Sequence, residues 1–338
     1  MDIIKSDMEN IFSKINAHFF YGKSILLTGA NGLIGNYMLI FFEFLNAEYN
    51  FDLEINIVTR SKILNRQTLV NTNRYEGDLT QQTFIEKLPN VDLIIHAAGY
   101  AQPDKFLKDP FNSIILNSQT LILLLDKLNI GGRLLYFSSS EVYSGLKNRY
   151  FAETQIGLTT PQHVRSSYIE AKRIGETICK SFNEINYATQ KSALVIRLST
   201  VYGPGYKKND PRVLNKFIED AVENKIIKLA DKGKNKRTFC YLSDAIEMCL
   251  EVLIHGIDNV YNVGNLEFIS IKKLAKLIGK LTGSKIIIPR KEIQEKLGAQ
   301  HSVRLNIDKV LKLNNKTSFV TIREGIIKTL QWRKNVSL

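Results

Sequence analysis

The sequence predicts an α/β fold, a doubly wound parallel sheet with helices on both faces, followed by a smaller C-terminal α/β lobe. Three observations carry that expectation. Short apolar runs recur at 24–28, 53–59, 91–96, 133–137 and 193–198, with amphipathic helical runs between them. The first run passes directly into Gly29-Ala30-Asn31-Gly32-Leu33-Ile34-Gly35, which opens a helix. A chain of 338 residues exceeds one average domain and suits such a sheet with a modest second lobe.

The elements follow in order. Ser6 and Glu9 form a capping-box pattern before Ile11, Phe12, Ile15 and Phe19, predicting an N-terminal helix packed on the core. The strand at 24–28 feeds the glycine turn and a helix over 37–45. Glycines there allow a tight turn, close approach of backbone N–H groups to a pyrophosphate, and close packing of helix on strand. This reads as a dinucleotide site. The second strand ends in Thr59-Arg60-Ser61-Lys62. An acidic residue at this place would bind the adenosine ribose hydroxyls, whereas Arg60 suits a 2′-phosphate, so NADP is favoured over NAD. A short third strand ends at Glu76-Gly77-Asp78-Leu79, with Asp78 placed to meet the adenine amino group. The fourth strand is followed by the small residues Ala97-Ala98-Gly99, which a cofactor lying across the sheet edge requires; His96 reads as a buried structural histidine. A single helix over 112–128 precedes the fifth strand, which ends in Ser138-Ser139-Ser140-Glu141-Val142-Tyr143. Beyond the sixth strand, Ser270 caps a helix over 271–281, and a last helix spans 322–332. The expected domains are an N-terminal helix extension at 1–20, a dinucleotide-binding domain with the catalytic residues at 21–200, and a lobe at 201–338 whose chain can cross back to the first domain.

Composition narrows the function. The three cysteines, Cys179, Cys240 and Cys249, are odd in number and lack metal-ligand spacing. That pattern argues against disulfides and zinc and for a reducing, cytoplasmic setting. No apolar stretch is long enough for a membrane span, and Asp2, Asp7 and Glu9 do not suit a secretory signal. The formal charge of +13 comes from dispersed lysines, with one tight cluster at 232–237. It fits an anionic small substrate better than nucleic acid.

The chemistry centres on Tyr168-Ile169-Glu170-Ala171-Lys172. Four residues apart on a helix, the phenol and the ammonium share a face, and a nearby cation favours phenolate. Ile174, Ile178 and Phe182 continue the run as an amphipathic face.

Taken together, the glycine turn, Gly-Asp-Leu, His-Ala-Ala-Gly, Ser-Ser-Ser-Glu-Val-Tyr, Tyr-x-x-x-Lys, Tyr-Gly-Pro-Gly at 202–205 and Arg237-Thr-Phe-Cys-Tyr-x-x-Asp244 stand in the order of the extended short-chain dehydrogenase/reductases. Over about residues 22–332 the chain resembles their nucleotide-sugar epimerase/dehydratase/decarboxylase branch. The resemblance implies an enzyme that oxidises the sugar C4 and returns the hydride within one cycle. Tyr168 takes the base/acid role, Lys172 the ribose-holding role, and Ser139 shares the hydroxyl proton. Glu141 is what lyase members carry for work on the 4-keto intermediate. Ser140 stands where dehydratases of the dTDP-glucose type place an Asp as acid. The resemblance implies dinucleotide contacts by Gly29, Asn31, Gly32, Leu33, Ile34, Gly35, Arg60, Asp78, Leu79, Ala97, Ala98, Gly99, Asn117, Tyr168 and Lys172. Substrate contacts fall to Gln102, Thr200, Arg212, Val213, Lys216, Arg237 and Arg304, with Lys228 a further cation for the diphosphate. No metal is implied. The expected reaction is 4,6-dehydration of a nucleotide-diphosphate sugar. Decarboxylation of the UDP-glucuronate type is nearly balanced with it, because Arg165-x-x-Tyr168 and Ala101-x-Pro103-x-x-Phe106-x-x-Asp109-Pro110 look like that branch. A simple 4-epimerase and a silent NAD(P)-binding scaffold are the remaining alternatives. Relatives pair two long helices, here 112–128 and 168–185, into a four-helix bundle, so a homodimer is expected.

Overall fold

The structure, a computed structural model, describes residues 2–60, 71–147, 150–289 and 302–336. Ser61 and Lys62 of the second strand-end motif lie outside these residues. The strands are β1 (Ser24–Thr28), β2 (Glu54–Thr59), β3 (Thr72–Glu76), β4 (Val91–His96), β5 (Leu128–Ser139), β6 (Ser192–Leu198), β7 (Thr200–Tyr202), β8 (Ile226–Lys228), β9 (Lys236–Tyr241), β10 (Val260–Val263), β11 (Phe268–Ser270) and β12 (Lys285–Ile287). Seven of them form one parallel sheet in the order β3-β2-β1-β4-β5-β6-β10. Strand order reverses between β1 and β4, where Leu26 pairs with Ile94 on one side and Asn56 on the other. A crevice opens at the carboxyl ends of strands that diverge in this way.

Both sheet faces are apolar because every inner strand is covered twice. One face packs under the Leu33–Tyr49 and Leu242–His255 helices through Phe41, Phe42, Met248 and Leu250, and the other under Leu121, Leu124 and Cys179. Each such fully buried Leu or Phe contributes about 1.5–3 kcal/mol. A third cluster, with Leu214, Phe239, Leu274 and Ile326, forms the core of the C-terminal lobe. β10 comes from beyond residue 200 yet completes the main sheet beside β6. All three cysteines are buried and unpaired, as small apolar residues should be.

Three local expectations need correction. The first helix spans Ile3–Phe12, and Asp2 caps it by accepting a hydrogen bond from the Ile4 N–H at 3.0 Å. Ser6 lies inside the helix; Asp is an equally good cap, and the earlier start brings Met8 and Ile11 onto the core. Two helices, Pro110–Asn117 and Gln119–Leu125, replace the single one over 112–128. The Ser118 hydroxyl donates back to the Ile114 carbonyl at 2.8 Å, a bond that bends helices, and φ −123° with ψ −89° at Ser118 breaks the helix. β5 then begins at Leu128. In the Ser166–Ile185 helix, Ile178 and Phe182 pack inward as expected, but Ile174 is 42% exposed on the outer face.

The N-terminal helix is bolted across the molecule. Asp7, fully buried, accepts hydrogen bonds from Tyr37 at 2.6 Å, Tyr241 at 2.7 Å and Lys328 at 2.8 Å. Those partners belong to the helix after the glycine turn, to β9 and to the Ile322–Asn335 helix. No described helix is long and apolar enough to cross a membrane.

Candidate active site

The glycine turn forms one wall of a cleft of ≈ 260 Å³ at the β1/β4 divide. Gly29 has φ +75°, and a Cβ there would stand 2.6 Å from the Ala97 carbonyl carbon; one at Gly35 would stand 2.4 Å from the Gly29 oxygen. Only glycine permits β1, β4 and the following helix to approach this closely. Gly32 is the N-cap of that helix, with no side-chain cap, and lines the cleft, so the helix begins at the cleft wall. Asn31, Asp78, Leu79, Ala97, Ala98 and Gly99 also line it, whereas Leu33 and Ile34 are half-buried and pack on the core. A Cβ on Gly99 would lie 3.7 Å from the Lys172 ammonium, so Lys172 sits beside the Gly99 end of the cleft, whose wall includes neither Tyr168 nor Lys172. A cradle that side chains would fill, facing a helix N-terminus, fits a dinucleotide. Asp78 meets the Thr80 N–H at 3.0 Å, and Arg60 sits exposed at the end of β2 with its guanidinium on the cleft.

Tyr168 and Lys172 are nearly buried, one helical turn apart, with the ammonium 5.8 Å from the phenol ring centre. Lys172 donates to Asn117 Oδ1 at 2.8 Å and to the Phe137 carbonyl at 2.6 Å. The helix break after Asn117 lets its amide oxygen serve both Lys172 and the Tyr136 hydroxyl, the latter at 2.7 Å. Ser139 accepts from the Glu141 N–H at 3.2 Å and stands near enough to the Tyr168 phenol to draw its pKa down. The electrostatics differ from the expectation of an ammonium that lowers the phenol. Burial pushes Tyr168 up to about 12, with Ser139 and Arg165 opposing, and burial pushes Lys172 down to about 7. Desolvation exceeds the mutual effect of the pair. His96 bridges Thr28 Oγ1 at 2.9 Å and the Leu116 carbonyl at 2.8 Å, and burial lowers it to about 4, as befits a structural histidine.

Next to Tyr168 lies a charged group only partly foreseen. Arg165 binds Glu141 at 2.6 Å, and its guanidinium stands 5.4 Å from the Phe106 ring centre. Phe106 in turn stacks on Tyr168, centroids 4.7 Å apart and planes within 14°. Burial raises the Glu141 carboxyl, while Arg165, Arg237 and His163 draw it down. Arg165 Nε is buried with no described partner. The Arg-x-x-Tyr likeness to the decarboxylase branch pointed to Arg165, which stands as the N-cap of the Ser166–Ile185 helix. His163 had no local signal, whereas Phe106 stood in the 101–110 motif, and its stacking on Tyr168 comes from a separate helix.

The other sequence-derived residues are more dispersed. Ser140, half-buried, opens the short 3₁₀ turn after Ser139. Gln102 caps the Pro103–Lys108 helix that carries Phe106. Thr200 begins β7. Arg212 is held by Asp210, Val213 begins the next helix against the lobe core, and Lys216 pairs with Asp220 at 2.9 Å in an exposed bridge. Lys228 is exposed on β8. Arg237 bridges through its backbone to Val303, the neighbour of Arg304, whose guanidinium lies 5.3 Å from the Tyr150 ring centre. Lys105, Lys207 and Tyr100 line the cleft without having been singled out in the sequence. Among the described residues no cluster suits a metal ion.

The fold and this site define an extended short-chain dehydrogenase/reductase. The profile of the NAD dependent epimerase/dehydratase family matches residues 25–264, and the chain belongs to that family of enzymes. UDP-glucuronic acid decarboxylase 6 of Arabidopsis thaliana is 30% identical over 271 residues, covering 79% of this chain and 76% of that protein. UDP-glucuronic acid decarboxylase 1 of Xenopus tropicalis is 28% identical over 266 residues, covering 78% of this chain but 61% of the relative, so the match spans less than two thirds of its length. Two solved structures share the fold with a TM-score of 0.75, each over 92% of this chain and 99% of theirs. One is the UDP-glucose 4-epimerase of Thermotoga maritima with UDP-glucose, at 21% identity. The other is a UDP-glucuronic acid 4-epimerase mutant from Bacillus cereus, at 20% identity, with UDP-4-deoxy-4-fluoro-glucuronic acid and NAD.

Proposed function

We propose that this chain decarboxylates a nucleotide-diphosphate uronate of the UDP-glucuronate type. The carrying observation is Arg165. Its guanidinium is fixed by Glu141 on one side, reaches Tyr168 across Phe106, and keeps a buried Nε donor with no described partner. A planar cationic fork beside the general base is suited to a sugar carboxylate. Arg237 adds positive charge to the same group. The UDP-glucuronic acid decarboxylases among the relatives support the same reading.

In this mechanism Tyr168 accepts the C4 hydroxyl proton with Ser139 steering it, and Lys172 holds the ribose end of the dinucleotide. A bound dinucleotide supplies the hydride acceptor at C4, and later the donor. With C4 a carbonyl, the C5–carboxylate bond breaks, CO₂ leaves, and the electron pair passes into an enolate whose oxygen faces Tyr168. A proton from solvent adds at C5, and Tyr168 gives its own proton back to O4 as the C4 carbonyl is reduced, which closes the cycle. Positioned acid–base help of this kind is worth about 10²–10⁴ in rate. Mass spectrometry after incubation with UDP-glucuronate should show a loss of about 44, the mass of CO₂. No such loss, with a loss of about 18 from a neutral nucleotide hexose instead, overturns the proposal. That outcome is the 4,6-dehydratase reading, and burial that raises the Glu141 carboxyl towards a basic role favours it.

Three subsidiary proposals accompany it. Arg60 supports NADP over NAD. The exposed Phe111, Ile114, Ile122 and Ile174 on adjoining helices support a homodimer through that face, which sedimentation would test. The buried, unpaired thiols support a reducing cytoplasmic setting.

A further inference from the structure

Arg60 is not a loose cation at the cleft edge. Its Nη1 donates to the Tyr100 hydroxyl at 2.9 Å, and its guanidinium carbon lies 5.4 Å from the centre of that ring. Tyr100 donates onward to Asp109 Oδ2 at 3.2 Å. Asp109 is itself fixed, because it caps the Pro110–Asn117 helix and accepts the Asn112 side-chain amide at 2.8 Å. Tyr100 therefore has its proton committed to Asp109 and its oxygen lone pairs committed to Arg60. Arg60 and Tyr100 both line the cleft, and Tyr100 directly follows Gly99, which abuts Lys172.

We propose that Tyr100 is the positioning residue for recognition of a phosphorylated adenosine ribose. It holds the Arg60 fork in the cleft before the dinucleotide arrives and so sets the preference for NADP over NAD. The physical reason is pre-organisation. An exposed arginine at a strand end loses side-chain freedom on binding a phosphate, and one already tethered through a single N–H loses less. The tether leaves the remaining guanidinium N–H groups to meet phosphate oxygens. Asp109 orients the phenol so that it accepts from Arg60.

The inference rests on the NADP reading of Arg60, and the test separates the two. Dissociation constants for NADP and NAD are measured by isothermal titration on the wild type, Arg60→Ala and Tyr100→Phe. The phenylalanine keeps the ring against the guanidinium and removes only the hydroxyl, and thermal denaturation checks that the fold is unchanged. Tyr100→Phe should weaken NADP by about three- to tenfold, the scale of one ordinary hydrogen bond, and leave NAD unaltered. Arg60→Ala should weaken NADP by about tenfold or more. If Arg60→Ala shifts the preference and Tyr100→Phe does not, or weakens both dinucleotides alike, the role of Tyr100 is overturned and the NADP reading stands. If Arg60→Ala leaves the preference unchanged, both fall.

Discussion

Replacing Arg165 by glutamine tests the proposed reaction at its most specific point. The Arg165 and Glu141 side chains are 11% and 24% exposed, so water screens their 2.6 Å contact only weakly. A hydrogen bond to a charged group contributes about 1.5–3 kcal/mol. If the same guanidinium holds the sugar carboxylate, losing it should weaken UDP-glucuronate by roughly 10- to 150-fold. UDP-glucose, which lacks that carboxylate, should bind the variant within about threefold of wild type, the scale of a surface-like effect. Glutamine also leaves Glu141 without its main opposing cation, so the carboxyl moves further up. The assay pairs titration of both nucleotide sugars with CO₂ release at UDP-glucuronate well below saturation, where a loss of binding shows in the rate. Equal weakening of the two sugars would show that Arg165 shapes the site without reading the acid. Undiminished CO₂ release would remove the mechanism as written.

The remaining predictions concern the rest of the machinery. Tyr168→Phe keeps the ring stacked on Phe106, so the melting temperature should hold while turnover falls by about 10²–10⁴; turnover within tenfold of wild type sinks the base assignment. Lys172→Met probes the depressed lysine. The folded value near 7 lies below the unfolded 10.5, so the unfolded chain binds more protons between them, and wild-type stability should rise relative to the variant as pH climbs through that window. Urea unfolding at several pH values reads this, and a flat difference refutes it. Asp7→Ala strips Tyr37, Tyr241 and Lys328 of a shared buried acceptor and should cost about 3–5 kcal/mol in urea unfolding. A cost under about 1 kcal/mol, the size of an exposed ion pair, would mean the knot is dispensable.

What could be read in advance depended on how local its cause was. The glycine turn was legible because tight backbone approach selects glycine, and the spacing survives without knowledge of the fold. Tyr168 and Lys172 were legible because a helix repeats every 3.6 residues. The break at Ser118 was not, since it turns on one hydroxyl competing for a backbone carbonyl inside an otherwise helical run. The Ser6 cap failed because Asp2, four residues earlier, accepts the Ile4 N–H and starts the helix first. Tyr100 and His163 escaped notice because their importance lies in contacts across loops, and Phe106 stood in the 101–110 motif with no sign of its stacking on Tyr168. β10 joined the sheet from far along the chain, and a short apolar run does not reveal which edge it will meet.

The same distinction explains why the charge argument for the central pair came out differently in the folded protein. In sequence, an ammonium four residues from a phenol suggests an activated phenolate. Once both are buried, removing either charge from water dominates, so the phenol rises and the ammonium falls, and the two tend towards neutrality together. Lys172 nevertheless keeps two carbonyl acceptors and two aromatic faces, all of which stabilise its protonated form. Tyr168 keeps Ser139 and Arg165 against its desolvation. Both groups are therefore held by geometry while their charges remain adjustable. A cation bound beside the phenol would shift its protonation, and an oxidised dinucleotide would supply one. On the proposed mechanism, the activation of Tyr168 belongs to the assembled complex, and the chain itself holds the hydroxyl, the amine and Arg165 in register.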